Sequence, residues 1–245
     1  MKLIKSVLIL MAIVGVTLAD TTLHYVDQSD KTTIKMYLSG NKMVVTSTSE
    51  QSTSMIYDAK SVVMTIIDAE NKKYYILNRD QIESLGDMKA MMEKVLEERL
   101  KDMPDSQKEM MRSMMEGILK SQMPKKPKKP TYKTTGKSGN YAGLKCKEVM
   151  KQAGENKYKF CVVEPSKLGL SSSEYSTLRS FQAISQKIAE RSGIEGTDLS
   201  IFDNSVVVYY ENKDENGVLR SVNHKNIPTS LFTIPKGFQK IDMPF

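Results

Sequence analysis

Residues 54–77 read SMIYDAKSVVMTIIDAENKKYYIL, and this stretch determines the expected fold class. Runs of β-branched, aromatic and apolar residues alternate in it with turn residues such as those at 69–71. Such runs favour β-strands, and the short turns between them favour antiparallel hairpins. The stretch therefore predicts three strands, at residues 54–58, 62–68 and 73–77.

Strand patterns extend to both sides of this stretch. The residues at 214–217, Asp-Glu-Asn-Gly, predict one further hairpin near the carboxyl end. The same criteria predict strands at 24–26, 33–38, 43–48, 131–135, 143–152, 157–163, 206–211, 219–224 and 231–234. The 245-residue chain is thus expected to hold two groups of strands, with a long segment between them.

That segment is predicted to form a helical hairpin over residues 80–122. Asp80 with Glu83, and Ser106 with Glu109, have the spacing of helix capping boxes. Nine of the seventeen methionines lie at or between positions 88 and 123, and several of them fall on the apolar stripes of the two helices. The methionines are therefore expected on the facing sides of this hairpin.

A third helix is predicted inside the second group of strands. It begins at Ser171 or Ser172 and ends at Gly193. Its apolar face consists of Tyr175, Leu178, Phe181, Ile184 and Ile188. Strands on either side of inserted helices, with neither half long enough for a comfortable barrel of its own, favour an α+β fold. We expect one curved antiparallel sheet, a half-open barrel, covered by the inserted helices.

The amino terminus has the pattern of a secretory signal peptide. Lys2 and Lys5 precede an apolar run at residues 6–16, and small residues stand before Asp20. The run is short for a membrane span, so cleavage after Ala19 is favoured over a retained anchor. Cleavage would lower the net charge from +7 by the two leader lysines. The mature protein is expected to be periplasmic or secreted, and not membrane-spanning.

The mature chain is expected to be a single domain over residues 20–245, with a linker at 123–131. Three prolines and four lysines in that linker oppose regular helix and favour an extended, solvated tether. Weak contact with anionic lipid is the alternative reading of the lysines. The overall charge is mild, and it does not have the pattern of a nucleic-acid-binding protein.

The two cysteines, Cys146 and Cys161, flank a predicted turn at residues 153–156. If the hairpin turns about Ala153 and Gly154, the two side chains face each other directly, whereas one further loop residue would slip the register and separate them. In an exported protein an even cysteine count favours a disulfide. Two buried free thiols are the alternative.

No catalytic or metal-binding motif is evident in the sequence. It has no glycine-rich phosphate loop, no GxSxG element and no HExxH or CxxC pair. His24 and His224 are the only histidines, and both fit ordinary strand positions. The acidic residues of the helical segment fit solvated faces paired with lysine and arginine. We therefore expect no enzyme activity, no metal site and no cofactor.

Several motifs resemble an uncharacterised family of bacterial envelope proteins. They are MIYDAK at 55–60, MTIID at 64–68, YYIL at 74–77, GLKC at 143–146 and PTSLFTIPKGF at 228–238, with a Met-rich insert between them. That family is similar in fold to the outer-membrane lipoprotein carriers. The resemblance implies a LolA-like sheet whose helix-covered cavity receives acyl chains. It identifies no individual ligand-binding residue.

The leading functional hypothesis is an exported soluble protein that binds a lipid, an acyl chain or an apolar segment. A flexible, polarizable methionine surface can repack around apolar ligands. The residues expected to form this lid are Met88, Met91, Met92, Met110, Met111, Met114 and Met115. One alternative is an envelope protein-interaction module that docks through the same helices, and a second is a Cu(I)-handling protein. Ordinary packing within the protein also explains the stripe.

Overall fold

The computed structural model describes residues 20–49, 52–85, 97, 100–101, 103–104, 107–113, 130–191 and 202–242. Two α-helices with described bounds are α1 at Arg79–Ser84 and α2 at Ser172–Arg191. The strands are β1 Thr21–Asp27, β2 Thr33–Ser39, β3 Lys42–Ser47, β4 Thr53–Asp58, β5 Val63–Asp68, β6 Lys73–Leu77, β7 Thr131–Tyr141, β8 Leu144–Ala153, β9 Asn156–Val163, β10 Val206–Glu211, β11 Asn216–Asn223 and β12 Gln239–Lys240. Eleven of the twelve predicted strands therefore overlap observed ones.

All of these strands belong to one sheet, in the order β12-β6-β5-β4-β3-β2-β1-β11-β10-β9-β8-β7. Strands β1 to β6 form one meander and strands β7 to β11 form another. The pairing of β1 with β11 joins the two meanders in the middle of the sheet. Neighbouring strands are antiparallel, except that β12 runs parallel to β6.

The predicted fold class, an α+β half-open barrel covered by inserted helices, is wrong. The described residues form a predominantly β structure, an open sheet that ends at β12 and β7. The sheet can stay open because both of its edge strands are protected from pairing with other chains. The short strand β12 covers β6, and β7 carries two lysines and an irregularity between Thr134 and Ser138. Most of the helical hairpin predicted at 80–122 lies outside the described residues.

Within that predicted hairpin, the described parts are α1, isolated helical positions at 97 and 100, and a helical segment at 107–113. The side chains of Arg112 and Glu97 form an exposed ion pair of 3.1 Å. Helix α1 begins with an Asn78 cap whose side chain pairs with Gln81 as a capping box. The predicted cap at Asp80 and Glu83 is therefore wrong, because Asn78 supplies the capping oxygen two residues earlier. The predicted linker lies almost wholly outside the described residues.

Helix α2 matches its predicted start and packs on one face of the sheet. Ser171 and Glu174 form the capping box, in which the Ser171 backbone amide donates to Glu174 Oε2 at 2.8 Å and the Glu174 amide donates to Ser171 Oγ at 3.3 Å. Leu178 lies in the main core with Leu23, Met43 and other strand residues. The same helix reaches a second core cluster through Phe181, Ile184 and Ile188.

The opposite face of β3 to β6 is covered by the carboxyl-terminal segment. Val44, Ile56 and Ile67 pack there against Phe232 and Phe238. The strand predicted at 231–234 is wrong, because Thr229–Phe232 forms a 3₁₀ turn. Prolines at 228 and 235 enclose this segment and remove the amide donors that a strand ladder needs. The segment then continues to β12, a strand that the sequence pattern does not predict.

The predicted disulfide is present and joins Cys146 to Cys161, with a Cα–Cα distance of 5.5 Å. The hairpin does not turn about Ala153 and Gly154, so the two cysteines do not face each other directly. The hairpin turns through Gly154 and Glu155, so Ala153 pairs with Asn156 and Cys161 pairs with Glu148. The bond therefore runs diagonally between β8 and β9, both sulfurs lying in the buried core.

The sheet and α2 are also linked by a buried hydroxyl pair. Tyr57 on β4 is fully buried, and its hydroxyl lies 2.6 Å from Ser180 Oγ on α2. Replacing Tyr57 with phenylalanine is expected to lower the free energy of unfolding by about 1 kcal/mol, because Ser180 loses its partner. Urea unfolding measures this change. Ser180→Ala is the control, since adding it to Tyr57→Phe should cost little more. Additive losses would contradict the pairing.

Candidate ligand cavity

A cavity of about 380 Å³ lies between α2 and the central strands of the sheet. The central strands that form its wall are β1, β2, β10 and β11, which lie next to each other in the sheet. Helix α2 forms the facing wall. The cavity is thus placed where the two meanders meet, beneath the helix inserted between β9 and β10.

The interior of the cavity is apolar because of strand alternation and helical spacing. Ile34 and Met36 stand two residues apart on β2, so their side chains point to the same face. Leu178 and Phe181 stand three residues apart on α2 and share its sheet-facing side. Val207 on β10 completes the apolar surface. An apolar ligand body can contact carbon atoms from both walls.

Tyr25 crosses the floor of the cavity from β1 to β10. Its hydroxyl donates to the backbone oxygen of Val207 at 3.0 Å, spanning the intervening strand β11. The β10 ladder is irregular between Val207 and Tyr209. Such bulges leave a backbone group outside the regular pairing. Burial raises the pKa of the Tyr25 hydroxyl, so it stays a neutral donor at physiological pH.

Tyr210 closes one end of the cavity, and the position of its ring depends on the absence of a side chain at Gly217. The Tyr210 hydroxyl donates to Asp27 Oδ2 at 3.0 Å. Its ring lies over Gly217, where an added Cβ would come within 2.2 Å of a ring carbon. Burial, followed by the hydrogen bond to Asp27, raises the pKa of Tyr210. Any side chain at position 217 would therefore displace the outer end of the Tyr210 ring.

The mouth of the cavity is acidic. Asp27, Asp30 and Glu215 line it and surround the Tyr210 hydroxyl. Burial opposes ionisation of Asp27, but hydrogen bonds from Ser29 and Tyr210 outweigh that effect and lower its pKa. No lysine or arginine of the described ranges forms an ion pair with these three carboxylates. The arrangement disfavours an anionic group at the mouth.

A larger cavity, of about 730 Å³, lies between the β8–β9 and β10–β11 hairpins. Most of the residues that line it are charged or amide residues, and two of the charged ones already interact. Lys159 Nζ lies 2.5 Å from Glu211 Oε2, and the hydroxyl of Tyr209 donates to the same oxygen at 3.1 Å. The hydrogen bond to Lys159 lowers the pKa of Glu211 and raises that of Lys159. This site is less suited to an apolar ligand than the cavity beneath α2.

The structure leaves the predicted methionine lid untested. Met88, Met91, Met92, Met114 and Met115 lie outside the described residues. Met110 is 71% exposed and Met111 is partly buried. The lid, docking and Cu(I) hypotheses for this segment therefore stay predictions.

The sequence pattern predicts most apolar residues of the cavity as strand or helix positions, but it does not predict that they form a site. Leu178 and Phe181 were assigned to the apolar face of the third helix, and Ile34 and Met36 to a strand. The available signal was the alternation of inward-facing residues on β2. It does not reveal which helix lies across that face, because α2 is more than 130 residues further along the chain.

Among the described residues, no group of three or more histidine, cysteine, aspartate or glutamate side chains is arranged to hold a metal ion. His24 lies on β1, and burial lowers its pKa, with further lowering from Lys35 and Arg220. His224 follows β11, and its Nδ1 lies 3.3 Å from the Thr21 hydroxyl. In the part of the chain that is described, no helix has the length and apolar character needed to cross a membrane.

Comparisons with known proteins give little further information. No protein-family model matches the chain, and no curated protein matches it. Solved structures of PNGF-II in the C2 and P21 space groups align over 92% of this chain, with TM-scores of 0.43 and 0.41 and identities of 11% and 8%. The chain spans about a third of their length, 31% and 32%. At these TM-scores the likeness supports no conclusion on fold or function, and the envelope-family resemblance stays a prediction.

Proposed function

We propose that this chain is an exported protein that binds a small hydrophobic ligand, such as a lipid or a single acyl chain. The observation that carries the proposal is the apolar cavity between α2 and strands β1, β2, β10 and β11. Export is proposed from the signal-peptide pattern at residues 1–19. The Cys146–Cys161 disulfide is compatible with an oxidising compartment.

The size of the cavity narrows the class of ligand. Small-molecule sites generally have volumes of roughly 300–1,000 Å³. At about 380 Å³ the cavity lies near the lower end of that range. It fits one short acyl chain or a compact apolar molecule, and it is too small for a lipid with several long chains. The proposed ligand therefore places one apolar group beneath α2.

The acidic residues at the mouth restrict which polar group the ligand can carry at the end that faces solvent. Asp27, Asp30 and Glu215 repel a free carboxylate or phosphate held near them. A neutral hydroxyl or amide can instead donate a hydrogen bond to one of these carboxylates. We therefore expect neutral acyl alcohols and amides to bind more tightly than the fatty acids of the same chain length.

Gln182→Trp tests the location of the site. Gln182 lies on α2 and lines the cavity, so an indole there is expected to obstruct it and weaken binding of a neutral fluorescent probe, Nile red, at least tenfold. Fluorescence titration measures this change. Gln186→Trp is the matched control, because Gln186 lies one helical turn further along α2 and does not line the cavity.

Equal weakening by the two tryptophan variants would place the probe elsewhere. Native mass spectrometry of the purified protein is the independent test of the function itself. We expect a bound neutral molecule whose mass fits a single short chain. Absence of bound lipid together with no Nile red binding would contradict the proposal.

A further inference from the structure

The positive charge of the chain is concentrated at one end of the sheet. Residues 131–163, which contain β7, β8 and β9, carry seven lysines and only two glutamates. This is a net charge of +5, in a chain whose total is +7. Such a one-sided distribution attracts anionic surfaces and raises the rate of encounter with them.

Four of these lysines are exposed at the open edge of the sheet, and we call them the basic edge: Lys133, Lys137, Lys145 and Lys147. Lys133 and Lys137 lie on the edge strand β7 and line a shallow depression on one face of the sheet. Lys145 and Lys147 flank the buried Cys146 on β8, so they point away from the core on the other face. The β7–β8 register sets Lys147 opposite Ser138, the residue after Lys137.

Within the described residues the lysines of the basic edge are not held in ion pairs, and one carboxylate, Glu148, lies in the depression that Lys133 and Lys137 line. The ion pairs of the described residues include none of its four lysines. Lys159, by contrast, is paired with Glu211 and is not part of the edge. Four ammonium groups therefore project into solvent from both faces of one thin strand pair.

The form of this edge disfavours two other kinds of partner, a further β-strand and a single-stranded nucleic acid. Lysines and the irregularity between Thr134 and Ser138 are features that prevent an exposed strand from pairing with another strand. Single-stranded nucleic acids require aromatic rings on which bases stack. The two rings of β7 are already occupied, since Tyr141 stacks on Tyr209 with centroids 4.0 Å apart and Tyr132 contacts Phe202 edge-on. The basic edge is therefore suited to meet a flat layer of negative charge edge-on, with lysines reaching that layer from both faces of the strand pair.

We propose that the basic edge docks this protein on an anionic membrane surface, from which it collects or to which it delivers its ligand. The proposal rests on the proposed function, because an apolar ligand in an aqueous compartment comes from or goes to a membrane. Each lysine near an anionic bilayer is attracted by its negative surface potential, so the four lysines together favour salt-dependent binding to such a surface.

Vesicle cosedimentation with the full mature chain tests this docking. Vesicles of neutral phosphatidylcholine are compared with vesicles that also contain phosphatidylglycerol. Binding is expected only to the anionic vesicles and is expected to fall as salt is raised. The variant Lys133→Glu, Lys137→Glu, Lys145→Glu, Lys147→Glu should bind at least tenfold more weakly, because attraction at all four positions becomes repulsion.

The matched control changes the same net charge at exposed lysines elsewhere: Lys42→Glu, Lys60→Glu, Lys225→Glu and Lys236→Glu. It should retain most of the vesicle binding. Equal losses in both variants would overturn the proposal, since they would show a response to net charge alone. Tighter binding to duplex DNA than to anionic vesicles at the same salt concentration would also overturn it, in favour of a nucleic-acid partner.

Nile red binding to the same two variants separates this proposal from the proposed function. The basic edge lies outside the cavity beneath α2, so both variants should bind the probe as the parent chain does. Lost vesicle binding with unchanged Nile red affinity supports docking by the edge. Normal vesicle binding by a protein that binds no Nile red would remove the proposed function and leave the charge-driven docking in place.

Discussion

Replacing Cys146 and Cys161 together with alanine is expected to lower the free energy of unfolding by about 3 kcal/mol. The disulfide closes a loop with a sequence separation of 15. A crosslink of that span restricts the unfolded chain by about 3 kcal/mol in the chain-entropy model. Both cysteine residues are buried, at 2% and 0% exposure, so the substitution also removes apolar contacts from the core.

Urea unfolding of the parent and the double alanine variant, each with and without reductant, measures this effect. Reductant should shift the parent curve toward that of the variant and leave the variant unchanged. Ala residues are chosen because serine would place two hydroxyl groups in the core without partners. If the two proteins unfold at the same urea concentration without reductant, the crosslink contributes nothing and the prediction is wrong.

Strand positions followed well from the sequence because runs of β-branched, aromatic and apolar residues, and the short turns between them, are local features. Along each strand successive side chains then alternate between the two faces of the sheet, as Ile56 and Tyr57 do. The order of strands does not follow in the same way. The central pair β1–β11 joins residues about 200 positions apart. Nothing in the alternation of either strand specifies that neighbour.

The fold class was predicted wrongly because of the assumed arrangement of the whole sheet, and not because of the local strand pattern. Two groups of strands around inserted helices favour a curved sheet, a half-open barrel, that the helices cover. The protein instead protects its edges, with β12 beside β6 and with Lys133, Lys137 and an irregular ladder on β7. The pairing of the two-residue strand β12 depends on where the preceding Phe232 packs on the sheet, which is a tertiary effect.

The cysteine hairpin shows the limit of counting residues about a turn. The predicted centre differed by one residue from the observed turn at Gly154 and Glu155, where Gly154 adopts a positive φ of 58°. That difference shifts the cross-strand partner of Cys161 by two positions, from Cys146 to Glu148. The disulfide still forms, because residues two positions apart on one strand point to the same face and Cα atoms 5.5 Å apart are within bonding range.

The candidate site is the least predictable part of the molecule, since its walls come from separate parts of the chain. Tyr25, Val207 and Leu178 line one cavity only when β1 has paired with β11 and α2 has crossed the sheet. Polar groups at the site depend on the same assembly. The hydroxyl of Tyr25 reaches Val207 across an entire strand, and the hydroxyl of Tyr210 reaches Asp27 in the opposite direction.

The contact between Tyr210 and Gly217 gives a second large expected effect. Replacing Gly217 with alanine is expected to lower the free energy of unfolding by about 2–3 kcal/mol. Overpacking of a well-packed site generally costs about 1–3 kcal/mol. Here the added Cβ would come within 2.2 Å of the Tyr210 ring, so the ring must move. Its movement also breaks the 3.0 Å hydrogen bond to Asp27, which adds to the cost.

A double-mutant cycle with Tyr210→Ala isolates this contact. When the ring is absent, Gly217→Ala no longer meets it, and its cost should fall below about 1 kcal/mol. Urea unfolding of the four proteins gives the coupling energy.

Gly143→Ala is an unsuitable control, because Gly143 has a positive φ of 75° that disfavours any side chain, whereas Gly217 has no such restraint. If Gly217→Ala costs the same with and without Tyr210, backbone preference and not the aromatic ring explains the glycine. Because Tyr210 also closes the cavity, weaker Nile red binding by Gly217→Ala is expected to accompany the loss of stability.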